Sequence, residues 1–113
     1  MSELMQLGSV KGYLSKPEGQ GPWPAMIVIQ EWWGLDAQTK SIADRFAKEG
    51  YLAFAPDLYH GELAQLGDGD TAMKLVQKYG PNAYLDLQSM FDAIKSHPDC
   101  NGKIGSVGFC FGG

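Results

Sequence analysis

"IGSVGFCFGG", residues 104–113, is a β-branched apolar run that breaks into glycine. Inside it, "GFCFG" sets Cys110 between two phenylalanines, with Gly108 two places before it and Gly112 two places after. This small-x-nucleophile-x-small spacing suits a very sharp strand-to-helix turn. The central residue takes a strained backbone conformation there, and the positions two away on either side must lack bulk. Such a turn raises the Cys110 thiol at its tip, where the positive end of a following helix favours thiolate. The Phe111 N–H would then face the oxyanion of a tetrahedral intermediate. Taken alone, the motif also fits a buried cysteine in a glycine-rich turn. Its place after a strand, in a chain of alternating strands and helices, decides for the turn.

That alternation is read by working backwards. "AMIVIQ", residues 25–30, is apolar on both faces, as a central parallel strand is. "AQTKSIADRFAKEG", residues 37–50, carries Ile42, Ala43, Phe46 and Ala47 on one helical face, with Gly50 as the stop. "YLAFAP", residues 51–56, is a second buried strand closed by Pro56. Residues 57–70 read as loop, with Asp70 or Thr71 capping a short helix that runs to Lys78. A separate helix follows over residues 82–98, with Leu87, Met90, Phe91 and Ile94 on one face and Pro98 as its stop. At the other end, "SVKGYLSKP", residues 9–17, is a strand expected to be half of a hairpin. "PEGQGPWP", residues 17–24, is a turn-rich connection. The order strand, helix, strand, helix, helix, strand predicts an α/β fold, a mostly parallel sheet with helices on its faces.

Ligands of open parallel sheets bind beyond the carboxyl ends of the strands. Three such ends occur: "QEWWG", "PDLYHGE" and "CFGG". Glu31 is either a solvated loop charge or, beside Cys110, an acceptor for the thiol proton. The Trp32 N–H stands where a second oxyanion donor is needed, and Trp33 is a candidate pocket wall or plain packing. Tyr59 and His60 are candidate substrate contacts, and a lone histidine at a turn is more often structural. Asp57 is read as a loop anchor. His97, at a helix end, is remote from the strand tips.

Bulk properties narrow the function classes. The 113 residues suffice for one domain, residues 1–113, with a sizeable core from 44% hydrophobic content. A net charge of −4, without lysine or arginine runs, argues against nucleic acid and anionic membranes as partners. The first residues lack a basic region followed by an apolar stretch, and the longest purely apolar run, residues 25–29, is far below the ~20 residues of a membrane span. Two cysteines in that context read as free thiols in a reducing, cytoplasmic compartment. The strand between Cys100 and Cys110 holds them too far apart to bridge.

"MIVIQEWWGL", "AKEGYLAFAPDLYHG" and "KIGSVGFCFGG", in that order, closely resemble the dienelactone hydrolase (carboxymethylenebutenolidase) family of the α/β-hydrolase superfamily. The resemblance covers nearly the whole chain. It implies an α/β-hydrolase-type fold and a thiol hydrolase of lactones or carboxylic esters, without metal or cofactor. Cys110 matches the family's nucleophile, Glu31 the glutamate paired with the resting thiol, and Trp32 and Phe111 the oxyanion amides. Where the family places a substrate-gripping arginine after "PDLY", this sequence has "HGE", so a neutral ester or lactone is as fitting a substrate as dienelactone.

The family's triad aspartate and histidine lie after the elbow, and neither His60 nor His97 matches that histidine. The expectation is the N-terminal portion of a hydrolase domain, truncated after the elbow strand. It would act with a complementary C-terminal chain or through self-association, the "KIGSVGF" strand being an open edge. The alternative is a catalytically inert fragment or binding module that keeps the sheet. A phosphate-binding reading of the glycines fails for want of the lysine and serine or threonine of a P-loop.

Overall fold

The structure is a computed structural model, and it describes residues 2–108. The elements, in chain order, are β1 Ser2–Leu7, β2 Val10–Ser15, β3 Trp23–Ile29, α1 Ala37–Lys48, β4 Leu52–Pro56, α2 Gly69–Lys95 and β5 Cys100–Gly108. Five strands form one mixed sheet in the order β1-β2-β4-β3-β5. The hairpin β1–β2 and the pair β2–β4 are antiparallel, whereas β3 runs parallel to both β4 and β5. The hairpin predicted from residues 9–17 thus finds its other half in β1. The alternating segments form the parallel half of the sheet.

Alternation along the strands assigns the helices to opposite faces. On β4, Leu52 and Phe54 point to one side with Ala25 and Ile27 of β3, and meet Met90 and Ile94 of α2. Ala53 and Ala55 point to the other side with Val28, against Ala43 of α1. The large-small-large-small order of "LAFA" has a physical reading. Small residues on the α1 face let that helix lie close to the sheet, and large ones fill the wider gap to α2. Each fully buried Leu or Phe here contributes ~1.5–3 kcal/mol of transfer free energy. A polar tie adds direction on the α1 face: Tyr13 Oη and Ser15 Oγ both donate to Asp44 Oδ1, each at 2.8 Å.

Helix α1 starts at Asp36, whose Oδ1 accepts from Thr39 N at 3.0 Å, and Gly50 follows its end with φ +97°. Its expected face is the packed one, with Ala43 and Ala47 buried and Ile42 and Phe46 half-buried.

Several boundaries differ from the sequence reading. The two helices expected over residues 71–78 and 82–98 are one helix of 27 residues with Pro81 inside it. Pro81 removes one backbone donor, yet Ala72 and Leu75 before it and Ala83, Met90 and Ile94 after it are buried, and packing on both sides of the proline outweighs one lost bond. The cap is Asp68, whose Oδ1 accepts from Thr71 N at 3.2 Å, not Asp70 or Thr71. Phe91, expected on the packed face, is 40% exposed. Strand β3 begins at Trp23, inside the supposed turn, because Trp23 N donates to Asp99 O at 2.8 Å. The register with β5 shifts between Trp23 and Ala25, the place of Pro24, which has no N–H to give a ladder. Strand β5 likewise starts early, at Cys100.

Gly12 of β2 leaves no room for a side chain against β4. A Cβ there would lie 2.5 Å from both Ala55 O and Phe54 Cζ. Gly12→Ala is therefore expected to destabilise the fold by about 1–3 kcal/mol. Urea denaturation should report a lower midpoint with an unchanged slope; an unaltered midpoint would contradict the packing described here.

Candidate functional site

Strands β3 and β4 deliver their carboxyl ends side by side, and the two loops that follow are laced together. Gln30, fully buried at the end of β3, accepts from Leu58 N through Oε1 at 2.8 Å. Its Nε2 donates to Glu31 O at 3.4 Å. Three residues on, Gly34 N donates to the same Glu31 carbonyl at 3.1 Å. Further out, Ala64 N donates to Trp33 O at 2.8 Å. Backbone groups that leave a sheet must find partners, and here each loop supplies the other's.

Glu31 is half-buried at this junction, as are Trp32 and Trp33. The two indole rings lie 5.2 Å apart at 59° and pack on a small cluster of Tyr59, Ala64, Ala72 and Leu75. From the sequence Trp33 fits a pocket wall or plain packing; in the structure it packs on this cluster. Tyr59 is fully buried and stacked on Tyr79 at 5.8 Å, a packing position beneath the tryptophans rather than a place on an open wall.

His60 reaches to α2. Its Nε2 is 2.7 Å from Asp86 Oδ2, and its ring lies 5.5 Å from that of Tyr79. Asp86 Oδ1 accepts from Ser9 Oγ at 3.0 Å, so this pair ties the loop after β4 to both α2 and the hairpin. Asp57 is the loop anchor expected of it: Oδ1 accepts from Tyr59 N at 3.2 Å and Oδ2 from Gly61 N at 2.7 Å. His97 lies at the other end of the sheet, with Nδ1 accepting from Asp99 N at 3.1 Å. Cys110 and Phe111 lie outside the described residues.

Three contributors escaped the sequence reading. Gln30 closes an otherwise apolar run, and a lone polar residue in such a place is the signal that could have marked it. Gly34 takes φ +109°, and a Cβ there would stand 2.7 Å from Leu63 Cδ2. Glu62 accepts from Lys78 Nζ at 2.9 Å and from the Tyr79 hydroxyl. The Tyr79 hydroxyl, and then Lys78, hold the Glu62 carboxyl below its ordinary range, and Glu62 in turn raises Lys78 and Tyr79.

A concavity of about 640 Å³ lies elsewhere, lined by Ser15, Lys16, Trp23, Asp44 and Lys48 at the amino ends of the parallel strands. A ligand of a parallel sheet is expected at the opposite end, so the laced loops and not this cleft make the candidate site. Among the described residues no group of three His, Cys, Asp or Glu side chains could hold a metal ion, and no helix is long and apolar enough to cross a membrane.

Comparison with known proteins identifies a family and a fold. Residues 10–113 match the dienelactone hydrolase family. "Protein usf" of Aquifex pyrophilus is 40% identical over 112 residues, covering 92% of this chain and 47% of that protein. A carboxymethylenebutenolidase of Pseudomonas putida is 29% identical over 114 residues, covering 94% of this chain and 48% of that one. Among solved structures, one named m3DLH superposes with a TM-score of 0.79 at 25% identity, over 99% of this chain and 50% of its own. The chain thus spans about half the length of the relatives it matches.

The Glu62 tie has a sign in pH. A carboxyl depressed on folding contributes fully above its ordinary value of 4.5, and the contribution is lost as pH falls through the lower folded value. The Tyr79 ring resonances should therefore shift as the protein is titrated downward from pH 4.5, and Glu62→Gln should abolish the change. Identical titrations of the two proteins would rule the tie out.

Proposed function

The chain belongs to the dienelactone hydrolase family, and from that premise we propose that it is the nucleophile-bearing portion of a cysteine-dependent hydrolase of lactones or carboxylic esters. In this reading residues 1–113 are a single domain portion, the N-terminal part of an α/β-hydrolase domain. Competence comes when an aspartate- and histidine-bearing C-terminal half completes it.

One observation carries the reading. Strands β3 and β5 are parallel neighbours with Ile29 level with Gly108. That pair ends the described register, and the proposal sets Glu31 and Cys110, each two residues further along its own segment, next to one another at this end of the sheet. A carboxylate beside a thiol at the tips of adjacent strands is a proton acceptor within reach of a nucleophile.

In the proposed reaction Glu31 takes the thiol proton and the Cys110 sulfur bonds to the acyl carbon. The carbonyl electron pair moves onto oxygen, where the N–H groups of Trp32 and Phe111 stabilise it. Collapse breaks the bond to the alkoxide, which leaves with a proton, and water then hydrolyses the thioester to acid and free thiol. Trp33 flanks the acyl site. The substrate is a small ester or lactone, and the residues used need no cofactor.

Without the completing half, nothing sustains the thiolate, and a thiol of pKa ~8.5 is only a few per cent ionised at neutral pH. The 113-residue chain alone should therefore hydrolyse 4-nitrophenyl acetate no faster than Cys110→Ser. Co-expression with the C-terminal half of the Aquifex pyrophilus relative should bring saturable turnover that Cys110→Ser abolishes. Saturable turnover by the chain alone would contradict the need for completion. An inactive complex, with Cys110 labelled by iodoacetamide as slowly as buried Cys100, would favour the inert binding module.

A further inference from the structure

The Glu31–Trp32 peptide is held by its carbonyl. Gly34 N donates to Glu31 O at 3.1 Å, and Gln30 Nε2 approaches the same oxygen at 3.4 Å. Because a trans peptide is planar, with C=O and N–H pointing in opposite directions, fixing the Glu31 oxygen also fixes the direction of the Trp32 N–H. Donors on a carbonyl further polarise the amide it belongs to, which makes its N–H a better donor.

Both donors are themselves constrained. Gln30 is fully buried, and its Oε1 is held by Leu58 N at 2.8 Å, so its amide cannot turn without orphaning a buried backbone donor. Gly34 sits at φ +109° with its α-carbon against the next loop, where a Cβ would be 3.0 Å from Glu62 O and 2.7 Å from Leu63 Cδ2. A side chain at that position would meet both strain and collision.

We propose that Gln30 is a positioning residue, which, together with Gly34, aims the Trp32 N–H and couples its direction to the loop after β4. This rests on the reading of Trp32 as an oxyanion donor. Gln30 touches no reacting atom in this scheme; it acts through the peptide plane.

The test uses the full chain, alone and completed by a C-terminal half. In the wild-type chain, through-hydrogen-bond couplings should link Gly34 N to the Glu31 carbonyl carbon, and the Trp32 amide signal should move in Gln30→Met. In the completed protein, Gln30→Met should lower kcat about ten- to a hundredfold with KM within about twofold, since a transition-state contact is weakened. Gln30→Glu adds a signature that a structural role lacks. Its neutral acid can donate to Glu31 O and its carboxylate cannot, so kcat should gain a limb that falls with rising pH. An unmoved Trp32 signal, absent couplings, or unchanged kcat in Gln30→Met would each overturn the proposal. Should the completed wild-type protein show no turnover, the hydrolase reading fails, while the couplings and the Trp32 signal still decide whether the brace exists.

Discussion

Parallel pairing of β3 with β5 governs the chemistry available to this chain. Their common register, with Ile29 beside Gly108, fixes which ends of the two strands lie side by side, and the proposed pairing of Glu31 with Cys110 starts from that alignment. A slip of one residue would turn every side chain on a strand to the opposite face. The slip is prevented by the core itself: Ala25 and Ile27 face α2 while Val28 faces α1, and neither helix tolerates an exchange. Packing that stabilises the sheet therefore also sets the geometry at its edge.

Loop lacing completes what the register begins. Gln30 and Trp33 bind the segment after β3 to the segment after β4, and the Tyr59 cluster packs against the tryptophans. The segment after β4 is secured in turn by Asp57 within itself, by His60 to Asp86, and by Glu62 to Lys78 and Tyr79. The last two ties lie on exposed surface, where ion pairs contribute little to global stability. Their effect is local: they determine where a loop sits.

The parallel half of the fold was readable because its signals are local. A β-branched run, a 3.6-residue apolar stripe and a glycine stop each declare themselves within a few residues. Asp57 was readable as an anchor for the same reason, its acceptors serving amides two and four residues on. The rest required contacts distant in sequence. Gln30 finds Leu58 across 28 positions, and the early start of β3 depends on Asp99 O. The breaking tendency of Pro81 is intrinsic, whereas the burial on either side that overrides it exists only once the sheet is in place.

Glu31 beside Cys110 is the central claim, and the pH dependence of Cys110 alkylation tests it most directly. The comparison is between a Cys100→Ser protein and the same protein carrying Glu31→Gln. A neighbouring carboxylate disfavours thiolate, so the account predicts an alkylation midpoint at lower pH once Glu31 is neutralised. Superimposable profiles would mean that the carboxylate and the thiol do not meet.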